Sequence, residues 1–216
     1  MSFDFDYILK FIIIGDSSVG KSNIFYQFQD GIFQENSVAS VGVQLCAKNL
    51  KIDNTIFRLQ VWDTAGQENF RSLISTYYKN SSCAFIVYDI TEEQSFYNLD
   101  TWIQECKNIA PETILLVLIG NKTDLNERRK IEYNKGLEYA QKHNMIFFEA
   151  SAKDGTNIQE IFIKSVECIN KNIQEGKYDL SDDACVVKLC KNQNNINLDD
   201  YDIGTEEGKK FKKCCP

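Results

Sequence analysis

Residues 15–22 read Gly-Asp-Ser-Ser-Val-Gly-Lys-Ser, directly after the apolar run Ile-Leu-Lys-Phe-Ile-Ile-Ile at 8–14. This fits the pattern G-x-x-x-x-G-K-[ST]. It constrains the fold more than any other feature of the chain. The run before it has the character of a strand buried on both faces. Gly15 ends that strand, and a helical pattern starts near Gly20. A strand, a glycine-rich loop and a helix in that order turn backbone N–H groups inward onto phosphate oxygens. The helix adds its positive dipole end. In that cradle Gly15, Ser17, Ser18, Val19 and Gly20 surround phosphate, Lys21 reaches the outer phosphates, and the Ser22 hydroxyl ligands Mg²⁺ with Asn23 alongside. A glycine-rich turn that only caps a helix would not need the buried strand on one side and the helix on the other.

The rest of the chain repeats this alternation. Residues 42–52 and 56–62 read as two strands around Asp53-Asn54. Cys83–Asp89, Ile114–Gly120 and Met145–Glu149 read as further strands, with helical stretches near 69–79, 93–109, 133–143 and 156–175. Strand and helix in alternation give an α/β fold. We expect a six-stranded, mostly parallel sheet with one antiparallel edge strand and helices on both faces, followed by a disordered C-terminal tail. A chain of 216 residues holds one such domain, placed at 1–178, with 179–216 as a flexible tail. Residues 179–208 are rich in Asp and Asn, as in Asn192-Gln193-Asn194-Asn195, and read as a tether.

Charge separates these parts. The formal net charge is −7, and Lys209, Lys210, Lys212 and Lys213 give the last eight residues +4, so residues 1–208 carry −11. An acidic body is a poor nucleic-acid binder. No apolar run approaches the ~20 residues of a spanning helix. Cys46, Cys83, Cys106 and Cys168 lie scattered in apolar segments and read as core thiols. Cys214 and Cys215 are adjacent and follow the lysines.

Three further segments fall at carboxyl ends of strands, where ligands of such sheets bind. Asn121-Lys122-Thr123-Asp124 follows one strand, and the Asp124 carboxylate can accept both guanine N1–H and N2–H, a pair adenine lacks. Ser151-Ala152-Lys153 follows another, with the Ala152 N–H placed for guanine O6. Asp63-Thr64-Ala65-Gly66-Gln67-Glu68 follows a third. There Asp63 would hold Mg²⁺ through water, the Gly66 N–H would meet a γ-phosphate, and Gln67 would orient an attacking water.

The order of these motifs resembles the Ras-like small GTPases, of P-loop GTPase fold. Arg58-Leu-Gln-Val-Trp62, Trp62-Asp-Thr-Ala-Gly-Gln-Glu68, Tyr77-Tyr78-Lys79 and Val87-Tyr-Asp-Ile-Thr91 resemble the Rab branch over roughly residues 8–177. Ile-Ile-Ile-Gly-Asp at 12–16 and Ile-Gln-Glu-Gly at 173–176 are similar to the Rabs of the Golgi and endosomal group. The resemblance implies a monomeric switch that binds GTP or GDP with Mg²⁺. Its hydrolysis is slow alone and stimulated by an activating protein, with Gln67 and Lys21 as the catalytic residues. It also implies an exchange factor, effectors, a prenylation escort and a GDP-dissociation inhibitor as partners. Phe33 matches the aromatic that packs on guanine, and Ser40 falls where the family usually has a Mg²⁺-ligating Thr. Leu45, Trp62 and Tyr77 match the hydrophobic effector patch, although the first of these is normally Phe; plain core packing is the alternative for Trp62 and Tyr77. Cys214 and Cys215 resemble tandem prenylation sites, which implies a lipid anchor on the cytosolic face of an internal membrane (Golgi, ER–Golgi or endosomal), in exchange with cytosol. No arginine lies in the cradle or in residues 33–45. A GTP-binding scaffold with negligible turnover is the second reading. A nucleotide kinase, which needs an arginine-rich lid, has no segment to supply it.

Overall fold

The computed structural model describes residues 5–35, 43–64, 77–182 and 185–190. Its elements are β1 (Tyr7–Gly15), α1 (Lys21–Asp30), β2 (Val43–Ile52), β3 (Thr55–Thr64) and β4 (Cys83–Asp89), then α2 (Glu93–Tyr97), α3 (Leu99–Ile109) and β5 (Leu115–Asn121). A 3₁₀ segment (Thr123–Arg128), α4 (Tyr133–Lys142), β6 (Ile146–Glu149), α5 (Ile158–Gln174) and β7 (Val187–Leu189) complete it. The sheet order is β2-β3-β1-β4-β5-β6, with β7 beside β1. β2 and β3 are antiparallel; β3, β1, β4, β5 and β6 run parallel. The α/β sheet expected from the sequence is present, with its antiparallel edge where residues 42–62 placed it.

The period of two along each central strand sorts its side chains into two cores. Leu9, Phe11 and Ile13 of β1 join Cys83, Phe85 and Val87 of β4 on one face, where Ile24 and Phe28 of α1 and Ile161, Phe162 and Val166 of α5 cover them. Ile12 and Ile14 join Ala84, Ile86 and Tyr88 on the other face, under Phe96, Leu99, Trp102 and Ile103. Burial on both faces is why these strands read as continuous apolar runs rather than alternating ones. Phe162 locks the first core: its ring stacks on Phe28 at 3.6 Å between centroids and meets Phe85 edge-on at 4.8 Å. Cys46, Cys83, Cys106, Cys168, Cys185 and Cys190 are all free thiols. No helix among the described residues is long and apolar enough to cross a membrane.

Where the sequence reading counts six strands and starts a tether at 179, the sheet takes a seventh strand from that segment. β4 begins opposite Phe11, so the first residues of β1 have an open edge on that side. β7 fills it, running antiparallel with Tyr7 opposite Leu189 and Leu9 opposite Val187. Ser82 fastens the junction. Its N–H donates to Lys10 O (2.8 Å), its hydroxyl donates to Val186 O (2.5 Å) and it accepts from Lys10 N (3.2 Å). Cys190 N donates to Asp6 O at 2.7 Å. Val186 and Val187 are buried in the first core. The polar composition on either side of this apolar pair hides it from a reading by composition, and a three-residue strand shows no period of its own.

Replacing Val187, 1% exposed, with Asp forces either a buried charge or release of the strand. The expected loss is about 3 kcal/mol of unfolding free energy, the burial of two valines. Denaturant unfolding checks the loss, and faster amide exchange at Tyr7–Leu9 checks that it comes from β7.

Candidate functional site

The loop between β1 and α1 turns only because two glycines allow it. Gly15 has φ 140° and Gly20 has φ 98°. A Cβ on Gly15 would lie 2.3 Å from Val87 O, and one on Gly20 would lie 2.3 Å from Asn121 Nδ2. Ser18 also has positive φ, at 66°. Val19 is buried in the first core, while Ser17 and Ser18 face outward. The loop therefore hangs from one apolar anchor with polar groups on both sides.

Lys21 starts α1 with its ammonium folded back onto the loop, donating to Gly15 O (2.9 Å) and Asp16 O (2.6 Å). Burial pushes its pKa down to about 8, against the attraction of Asp63 and Asp16. Ser22 donates its hydroxyl to Asp63 Oδ2 at 2.5 Å. Asp63 is buried next to the last residue of β3, and burial pushes its carboxyl up to about 6, opposed by the Ser22 hydrogen bond and by Lys21. Asp63 Oδ1 is buried and accepts no hydrogen bond. A hydroxyl and a carboxylate oxygen of this kind are the ligands a hard divalent cation takes. Mg²⁺ fits this chemistry, and Ser22 and Asp63 are the residues that could hold it. Among the described residues no cluster of three or more His, Cys, Asp or Glu offers it a site without phosphate.

The segments after β5 and β6 come together at the same sheet edge. Asn121 is buried. Its amide donates to Val19 O (2.8 Å), and its Oδ1 accepts from Ala152 N (3.1 Å). Lys122, in the left-handed region at φ 73°, donates to Ser18 O at 2.8 Å and pairs with Asp89 at 2.6 Å. Asp124 Oδ1 accepts the Ser151 hydroxyl (2.7 Å), and Ser151 Oγ accepts in turn from Lys153 N (3.2 Å). Asp124, Ser151, Ala152 and Lys153 are thus joined to one another and, through Asn121, to the loop after β1. The Ala152 N–H expected to meet guanine O6 donates to Asn121 Oδ1, which ties the loop after β6 to the loop after β5.

Asn23 accepts Gln34 N at 3.0 Å, which makes it a strap on the segment after α1; half-buried Phe33 sits beside that contact. Leu45 and Trp62 are directly opposed in the β2–β3 ladder, and the Trp62 and Tyr77 rings lie 5.1 Å apart. The three therefore form one patch, in which Leu45 is 47% exposed and the two rings pack against the second core. Ser40, Gly66, Gln67, Cys214 and Cys215 lie outside the described residues.

The sequence reading missed several supports of the site. Asp16 accepts Trp102 Nε1 and Asn98 Nδ2, each at 2.7 Å. Arg129 grips Glu149 with two hydrogen bonds of 2.6 and 2.8 Å and donates to Ile131 O, fixing β6 against the loop after the 3₁₀ segment. Asp89, an acid closing a buried strand at the ligand edge, carried a signal in the sequence. Asn98 and Trp102, more than eighty residues from Asp16, carried none.

Gly20→Ala is expected to weaken nucleotide binding at least about tenfold, because the methyl group drives Asn121 off Val19 at a backbone angle that disfavours side chains. Titration with a fluorescent guanine nucleotide reads this out. The Ras family model matches residues 10–171, from within β1 to within α5, leaving β7 outside the match. Over a match of that extent, the chain belongs to the Ras family of small GTPases, which are GTP-binding switches that hydrolyse GTP.

Proposed function

We propose that this protein is a Rab-type switch of vesicle traffic, which recruits effectors to an internal membrane in its GTP form. The observation that carries the reading is the single patch made by Leu45, Trp62 and Tyr77 beside a guanine-nucleotide site. Leu45 is exposed and the two rings are half-buried, and a part-exposed apolar patch of this kind reads as a protein-binding surface. Trp62 and Asp63 are neighbours on β3 with side chains on opposite faces of the sheet, so the same backbone carries the patch and the site.

The chemistry assigned to the chain is modest. The loop from Gly15 to Ser22 binds and orients the phosphates, and Lys21 neutralises charge on the β–γ oxygens. Gln67 orients water for in-line attack on the γ-phosphorus; the bond to the β–γ bridging oxygen breaks and GDP departs with that electron pair. Ser22, Asp63 and Ser40 would hold Mg²⁺, which would supply further charge neutralisation on the phosphates. Asp124 selects guanine, with Ser151 fixing its carboxylate. Ser40 in place of threonine keeps the ligand oxygen and loses a methyl contact, giving a somewhat looser closed loop. An exchange factor and an activating protein set the two rates of the cycle, as for Ras-family switches in general. The Rab reading adds an escort for prenylation, a GDP-dissociation inhibitor, and lipid on Cys214 and Cys215 with four lysines beside it.

Two experiments test this. Gln67→Leu is expected to slow single-turnover GTP hydrolysis at least about tenfold with nucleotide affinity nearly unchanged. Absence of turnover in the native chain would instead favour the scaffold reading. For the membrane assignment, a tagged chain should mark an internal membrane and become diffuse when Cys214 and Cys215 are both replaced by Ser. Unchanged localisation of that variant rejects the lipid anchor.

A further inference from the structure

Asp16 is the first variable residue of the phosphate loop, and every polar part of it except its N–H has a defined partner. Its carbonyl accepts the Lys21 ammonium at 2.6 Å. Its Oδ1 accepts the indole N–H of Trp102, and its Oδ2 accepts the Asn98 amide, both at 2.7 Å. Trp102 is buried in the second core. Asn98 stands at the junction of α2 and α3, its own N–H bonded to Gln94 O and its Oδ1 to Gln94 Nε2. Both donors are thus fixed before they meet the carboxylate. Charge-assisted hydrogen bonds from two fixed donors to the two oxygens of one carboxylate set its plane as well as its position.

The loop is therefore held from two sides. Lys122 and Asn121 take the Ser18 and Val19 carbonyls from the guanine side. Trp102 and Asn98 take Asp16 from the α2–α3 side. This second hold acts on Asp16, whose carbonyl is the closer of the two that accept Lys21, the other being Gly15 O at the end of β1. A shift of the Asp16 carboxylate moves its carbonyl, and the ammonium follows.

We propose that Asp16, Asn98 and Trp102 form a positioning network that sets Lys21 against the nucleotide phosphates, so that α3 governs how tightly the nucleotide is retained. The inference rests on the guanine-nucleotide reading of the site. None of the three is a catalytic residue: each acts through Lys21.

The test measures release of a fluorescent GDP analogue from the full chain, together with thermal unfolding. Nucleotide retention by the unaltered chain checks the underlying reading by itself. Trp102→Phe keeps an aromatic ring in the core and removes the N–H donor. It and Asp16→Ala are each expected to speed release about tenfold, the scale of one charge-assisted hydrogen bond. The double variant Asp16→Ala/Trp102→Phe should release no faster than Asp16→Ala, since the indole then has no carboxylate to hold. Asp16→Asn alone should also speed release, because its amide nitrogen faces the Asn98 amide. Asp16→Asn combined with Asn98→Asp exchanges donor for acceptor and should restore slow release. A purely structural role predicts additive rates that track the loss of thermal stability and no recovery by the exchange. Additivity, absence of that recovery, or release within twofold of the unaltered chain overturns the proposal. If Asp16→Ala does not fold, Trp102→Phe and the exchanged pair decide it.

Discussion

One side-chain amide holds the site together. Asn121 bridges Val19 of the phosphate loop and Ala152 of the loop after β6, and it is buried between them. A buried amide with both ends bonded cannot move one partner without stranding the other, which makes the joint stiff. Gly20 must be glycine because Asn121 Nδ2 occupies the space a Cβ would need. Lys122, the next residue, repeats the linkage at Ser18 and adds Asp89 at the end of β4. The loop after β1 and the loops after β5 and β6 thus share one scaffold, and the scaffold is made of side chains rather than of the sheet.

Burial works against charge at the centre of that scaffold. Lys21 and Asp63 are both shifted toward their neutral forms, to about 8 and about 6, because each is taken out of water. They compensate one another only in part. A phosphate anion beside the ammonium and a divalent cation beside the carboxylate oppose both shifts at once. The cradle is therefore electrostatically complementary to a metal–nucleotide pair more than to either alone.

The architecture was legible in the sequence for a physical reason. Strands buried on two faces show as long apolar runs, and glycines at positive φ punctuate them, so β1, β4 and the cradle stood out. The ligand edge followed because parallel strands put their carboxyl ends together. What escaped notice depends on pairing across the chain. Asp16 gave no sign of Trp102, nor Arg129 of Glu149, since hydrogen-bond partners leave no period. β7 escaped because its burial comes from an open stretch beside β1, a property of another segment.

The small strand also decides where the two outer segments of the chain meet. β7 runs antiparallel to β1, and Cys190 donates to Asp6, at the end of the sheet away from the phosphate loop. The entering and leaving backbones are therefore neighbours, about 4.8 Å apart as adjacent strands are. A group attached at Asp6 and one attached at Cys190 would start from a single spot, at the end of β1 opposite Gly15.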